Sequence, residues 1–124
     1  MSNIILAKGF KAQAAIPAFT LAVLGAADGQ VLAAAAATDK IIGVTSDVAP
    51  AINERCDVIL EGVADVLYGG TVARGDLLTA DATGRAVTAA PGAGVNNRIV
   101  GIALLAGVVG DVGQVMISVG STQG

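Results

Sequence analysis

The sequence predicts an all-β fold: a compact β-barrel or β-sandwich-like domain with an internal pseudo-duplication and at most one short helix. Three observations carry this. Apolar residues make up 54% of the 124, yet aromatics only 2%, so Val, Ile, Leu and many Ala must fill the core. β-Branched runs with period-two alternation recur along the chain. Turn-forming residues punctuate those runs at short intervals.

The duplication is read from three elements that return in the same order. Gly29-Gln30-Val31-Leu32, Lys40-Ile41-Ile42-Gly43-Val44 and Asp57-Val58-Ile59-Leu60 are followed by Gly75-Asp76-Leu77-Leu78, Arg98-Ile99-Val100-Gly101-Ile102 and Gln114-Val115-Met116-Ile117. The spacings are 46, 58 and 57 residues, which implies an insertion of about a dozen residues before Arg98 in the second copy. That insertion falls on residues 90–97, where Pro91, Gly92, Gly94 and two Asn predict an exposed loop. The organisation expected is an N-terminal arm over residues 1–18 and one β domain over 19–124, with pseudo-repeats at about 19–62 and 63–120.

Taken in order, strands are expected at 19–24, 30–36, 40–44, 56–61, 63–68, 76–79, 85–88, 98–104 and 114–119. In 56–61, Cys56, Val58 and Leu60 share one face, opposite Asp57, Ile59 and Glu61. In 114–119, Val115, Ile117 and Val119 do the same, so Val58 and Leu60 correspond to Val115 and Ile117. The five alanines of 33–37 favour helix on propensity, but the repeat makes them strand end and turn. A short helix over 46–54 would start on the capping types Ser46 and Asp47, with Pro50 badly placed inside it. Gly43 and Gly101 sit at matching points inside strands, where a glycine signals a bulge or close backbone approach.

Composition excludes several function classes. Seven cations are scattered among ten acids, net charge is -3, and stacking aromatics are missing, so nucleic acid is not an expected partner. The longest charge-free stretch, residues 12–27, carries Gln13, Pro17, Thr20 and Gly25 and falls short of the roughly 20 apolar residues of a membrane helix. No signal-peptide order opens the chain, and the single cysteine, Cys56, is compatible with a reducing cytoplasm. Only 14% of residues are charged, which points to extensive subunit contact.

No catalytic centre is expected. Without histidine the usual general base, triad partner and metal ligand is absent, and neither cofactor nor small-molecule substrate is predicted. Cys56 lies on an apolar strand face with no activating partner and reads as a buried structural thiol. Asp76 and Asp81 match no calcium loop and read as turn chemistry. Residues 107–113 are glycine-rich but lack the Lys-Ser/Thr ending of a phosphate loop.

Several segments together resemble the small capsid cement (decoration) proteins of tailed bacteriophages. They are Lys40-Ile41-Ile42-Gly43-Val44-Thr45, Leu60-Glu61-Gly62-Val63-Ala64-Asp65-Val66, the run from Gly70-Thr71-Val72-Ala73-Arg74-Gly75-Asp76-Leu77-Leu78 to Thr83-Gly84-Arg85-Ala86-Val87, and Arg98-Ile99-Val100-Gly101-Ile102-Ala103. The similarity runs from about Phe19 onward. It implies a virion protein made in the host bacterial cytoplasm, which binds the major capsid protein as a homotrimer on the outer capsid surface and stabilises the shell by multivalent contact. It also implies an N-terminal capsid-contacting arm, here with Ile4, Ile5, Leu6, Phe10, Ile16 and Phe19. Deletion through Lys11 would then abolish capsid binding without unfolding the domain. The other reading of Ile4 to Leu6 is an edge strand. A different functional class, a small ligand-binding or carrier β-barrel, is kept open by the Gly75-Asp76-Leu77-Leu78 turn, although the lysine and aromatic platforms of such modules are missing.

Overall fold

The structure, a computed structural model, describes residues 3–124. Nine strands follow one another: β1 (Asn3–Ala12), β2 (Leu21–Leu24), β3 (Gln30–Ala33), β4 (Ile41–Thr45), β5 (Arg55–Leu67), β6 (Leu77–Ala80), β7 (Ala86–Thr88), β8 (Asn96–Ala103) and β9 (Val112–Gln123). No helix occurs among the described residues. Residues 46–54, where a short helix was admissible, form bends and a turn instead. Pro50 has no N–H to give, and the Glu54 carboxylate accepts the Ala51 N–H at 2.7 Å, a bond that closes a turn and starts no helix. The alanine run leaves β3 at Ala33 and turns at residues 36–39, with the Asp39 carboxylate accepting the Ala35 N–H.

The strands form one sheet in the order β1-β3-β2-β4-β5-β9-β8-β6-β7, and β1 also pairs with β5. The first five strands therefore close into a ring. A bridge between Tyr68, just past β5, and Ala86 of β7 closes β5, β9, β8, β6 and β7 into a second ring. The two barrels share β5, whose 13 residues run through both. The expected strands at 56–61 and 63–68 are thus one strand, turned at Gly62, whose φ of 105° suits glycine.

The rings repeat each other almost residue for residue. Every pairing in the first has its counterpart in the second, with β1 to β5 matching β5 to β9. Ala22 and Leu78 face Gly43 and Gly101, Ala33 and Thr88 face Ala22 and Leu78, and Ile59 and Met116 face Val44 and Ile102. The spacing (22 to 78, 33 to 88, 43 to 101, 59 to 116) stays within 55–58 residues throughout. This redraws the expected repeats. The structural partner of β3 is β7 and that of β6 is β2, so Gly29-Gln30-Val31-Leu32 and Gly75-Asp76-Leu77-Leu78 occupy different ring positions. The β3–β4 and β7–β8 connections, residues 34–40 and 89–95, have equal length, and the inferred insertion disappears. Asn96 and Asn97 belong to β8 and not to the loop.

The segment before Phe19 is likewise part of the duplication. Residues 1 and 2 of the expected arm lie outside the described residues. From Asn3 onward the chain is the strand of the edge-strand reading: β1 pairs antiparallel with β5 from Asn3 to Lys11 and parallel with β3 at Lys11 and Ala12. Its place in the first ring is that of the second half of β5 in the second.

Side chains fill both barrels. Ala12, Ile16, Ala22, Val31, Cys56 and Val58 form the core of the first. Their counterparts Tyr68, Val72, Leu78, Ala86 and Val115 lie in the second core, which continues between the rings through Leu21, Ile41, Val44 and Ile59. Volumes are exchanged between the copies: Ala22 becomes Leu78 while Val31 becomes Ala86, and the pair Ala12 and Cys56 becomes Tyr68 and Gly113. Close packing at interior density demands such compensation. At Gly43 and Gly101 an added Cβ would meet the backbone carbonyl of Ile59 or Met116, the close approach the sequence suggested.

Four turns share one clasp, at residues 27–30, 51–54, 73–76 and 108–111. In each, the fourth residue donates its backbone N–H to the carbonyl of the first. Its side-chain oxygen in return accepts the N–H of the first at 2.7–3.2 Å. The third residue has left-handed φ, supplied by Gly29, Asn53, Gly75 and Gly110 at 67–89°.

Candidate interaction surface

Several of the chain's carboxylates hold turns. The Asp76 carboxylate accepts from the Ala73 N–H and, at 2.9 Å, from the Thr88 hydroxyl. Asp81 accepts from the N–H groups of Thr83 and Arg85, the Thr83 hydroxyl and the Arg85 guanidinium. Partial burial works to raise the Asp81 pKa, but these donors outweigh it and hold the carboxyl below its ordinary value. The two aspartates thus serve separate turns. Cys56 is buried in the first barrel, and burial, helped by the adjacent Asp57 charge, raises its thiol pKa and keeps it protonated. Residues 107–113 close against the Tyr68 ring, and Asp111 clasps Val108. Among the described residues no three potential metal ligands come together.

What the surface does offer is apolar. Of the six residues expected to contact a partner, Ile4, Ile5 and Leu6 are exposed on β1, at 52%, 75% and 46%. Phe10 is half-buried against the first core, with the Lys8 ammonium 5.0 Å from its ring centre. Ile16 is 1% exposed and fills the first barrel, so it faces no partner. Phe19 is half-buried and lines a groove with Ile4, Ser46, Asp47, Ile59 and Asp65. The structure therefore leaves Ile4, Ile5 and Leu6 exposed on β1, with Ile4 beside Phe19 in one groove and Ile5 beside Leu60 and Met116 in another, and withdraws Ile16.

Sequence reasoning missed a second apolar group. The β4–β5 connection exposes Val48 and Ile52, and the β8–β9 connection exposes Leu105 and Val109. These are counterparts, each pair 57 residues apart like the clasps at Glu54 and Asp111 beside them. Both connections thus present large apolar side chains at the same two points, on loops stiffened by the same turn. The 57-residue spacing visible between 59 and 116 was the available signal. Large apolar side chains exposed at equivalent points of two stiffened loops are candidate contact points for a partner.

The class defined by this architecture is a two-barrel all-β protein with filled interiors and an apolar, turn-stiffened exterior. No family model matches the sequence, and no curated protein matches it. Among solved structures, the chain is similar to the N base of head fiber gp8.5 of bacteriophage phi29, with a TM-score of 0.70 at 19% identity. The match covers 91% of this chain and 93% of that one, and at this identity it shows the shared fold.

Proposed function

We propose that this chain is a virion structural protein that binds the outer surface of a phage capsid, through its major capsid protein, and stabilises the shell as a trimeric cement or decoration protein. The observation that carries the reading is the end-to-end fold likeness to the base of a phage head fiber. The exterior supports it. Two stiffened loops with matching apolar residues, together with Ile4 to Leu6, suit contacts repeated over identical subunits, where modest individual affinities multiply. The barrel interiors support a scaffold over a ligand carrier, because side chains occupy them. On this reading the chain performs no catalysis.

Co-sedimentation with expanded capsids and with unexpanded procapsids tests the proposal. Binding to expanded shells is expected, with binding weakened by Val48→Asp or Leu105→Asp and abolished by both together. No binding to either form of shell would refute it.

A further inference from the structure

The first barrel covers one corner of the second, where the β6–β7 hairpin meets the start of β8. The covering element is the turn at residues 36–39, closed by the Asp39 N–H on the Ala36 carbonyl. Within it, the Ala37 carbonyl accepts the Arg98 N–H at 2.7 Å and the Thr79 hydroxyl at 3.3 Å. Ala80, next along β6, is left only 3% exposed. A Cβ on Gly84 would run into the Thr20 side chain and approach the Ala34 carbonyl.

The duplication supplies a second set of both surfaces, and nothing in the chain brings that set together. By the register of the paired strands, Thr79, Ala80, Gly84, Arg98 and Val100 correspond to Val23, Leu24, Gly29, Lys40 and Ile42. Leu24 is 59% exposed where Ala80 is covered. Gly29 has the same φ of 79° as Gly84, but open space surrounds its Cβ position. The Lys40 N–H, counterpart of the one that Ala37 receives, has no acceptor among the described residues. Val23, Leu24, Lys40 and Ile42 line an open groove of about 430 Å³ with Thr38 and Asp39. On the second barrel, residues 92–95 repeat the covering turn. The Val95 N–H closes on the Gly92 carbonyl, and Ala93 stands exposed in the place of Ala37.

We infer that the groove of the first barrel seats the turn at residues 92–95 of a second copy of this chain. The occupant follows from the molecule itself, which already seats the equivalent turn at the equivalent place, with alanine at the same position of each turn. Within one chain the shared strand β5 fixes the barrels to each other, so only another copy brings the second turn to the first groove. The Ala93 carbonyl then accepts the Lys40 N–H as Ala37 accepts that of Arg98, and Val23, Leu24 and Ile42 leave water. The contact joins unlike surfaces, so it runs head-to-tail and closes into a ring when its rotation permits. Ala37 lies three residues before Lys40, so inner and outer contacts adjoin and the turns gather round the axis of that ring. This deepens the proposed function, which requires three copies, and rests on that reading only for the number.

Sedimentation velocity on the free protein, with no capsid present, is read together with hydrogen exchange at the Lys40 amide. Wild type is expected at a multiple of 12.0 kDa, with that amide exchanging more slowly than in an unfolded chain of the same sequence. Leu24→Glu puts a charge into the groove, and Ala93→Lys puts bulk and a like charge beside Lys40. Both positions are exposed, so each variant is expected to run as a single chain with unchanged circular dichroism and a fast-exchanging Lys40 amide. Wild type at single-chain mass, an assembly whose Lys40 amide exchanges at the unfolded rate, or folded variants that keep the wild-type mass would each overturn the inference. Should either variant unfold, the Lys40 amide of the wild-type assembly decides alone: slowed exchange supports the contact and the unfolded rate overturns it. Co-sedimentation of wild type with capsids reads the proposed function separately, since shell binding stands or falls apart from the mass of the free protein.

Discussion

The Tyr68 ring stands where a side chain at position 113 would go: a Cβ built on Gly113 would run into its Cζ and hydroxyl oxygen. The phenol reaches across to donate a 2.7 Å hydrogen bond to the Leu105 carbonyl. In the first barrel the equivalent pair is Ala12 and Cys56, both buried. One large and one absent side chain in one copy thus balance two small ones in the other.

This exchange predicts coupling. Tyr68→Ala should cost about 3–5 kcal/mol through the cavity it opens, and Gly113→Cys about 1–3 kcal/mol through overpacking. The double variant recreates the first barrel's pair, so its loss should fall short of the sum by at least about 1 kcal/mol. Urea denaturation of the three variants measures this, and strict additivity would contradict the exchange.

Gly43 and Gly101 predict parallel losses. A side chain at either place meets the backbone of the neighbouring strand, which cannot rotate away as a side chain could. Gly43→Val and Gly101→Val should each lower Tm markedly or abolish soluble expression. Unchanged melting of both would show that the strands can separate without cost.

The clasp turns predict a purely conformational effect. Gly75 and Gly110 have φ near 90° and open space where a Cβ would go. Gly75→Ala and Gly110→Ala should therefore each cost about 1–2 kcal/mol from left-handed backbone alone. Phe19, the counterpart of Gly75, already holds φ of 56° in the first copy with a side chain in place. Denaturation of the single and double alanine variants should show the two costs adding.

Asp81 predicts a pH signature. A carboxyl with lowered folded-state pKa contributes stability that is full above its unfolded value, about 3.9, and is lost as pH falls through the folded value. Asp81→Asn should therefore lower Tm at neutral pH, by an amount worth about 1–2 kcal/mol. The gap to wild type should narrow below about pH 4. A gap that stays constant down to pH 2 would mean the ionised form is not what matters.

Deletion through Lys11 now carries a different expectation from the one the sequence suggested. It removes the strand that closes the first barrel and takes Phe10 away from its core. Loss of cooperative melting is expected along with any loss of binding, and intact melting of the deletion would contradict the ring closure. Point changes at Ile4, Ile5 and Leu6 are the cleaner probes of contact.

How much of this was legible in the sequence depends on what each copy retained. Lys40-Ile41-Ile42-Gly43-Val44 and Arg98-Ile99-Val100-Gly101-Ile102 preserve strand chemistry and the crowded glycine, so β4 and β8 could be matched directly. The match of Gly29-Gln30 to Gly75-Asp76 was misled by a real likeness. Both belong to clasp turns, but the clasp recurs four times at unlike ring positions, so a local signature could not say which position it marked. The true partners were hidden by volume exchange, since Ala22 against Leu78 and Val31 against Ala86 look unrelated until both sit in one core. The surface was half legible. Ile4 to Leu6 stand out as an apolar run, whereas Val48 and Leu105 are single residues whose meaning comes only from being equivalent.

A strand common to two barrels ties their fates together. Each ring needs β5 for closure, so neither copy can detach and melt while the other persists, and heat should unfold the duplicated chain in one step as it would a single domain. Assembly is bound by the same condition: β1 must find a partner roughly fifty residues away before the first ring exists, an arrangement of distant contacts that favours slow folding over fast. A strand shared in this way trades the independence of two modules for the all-or-none resistance of one.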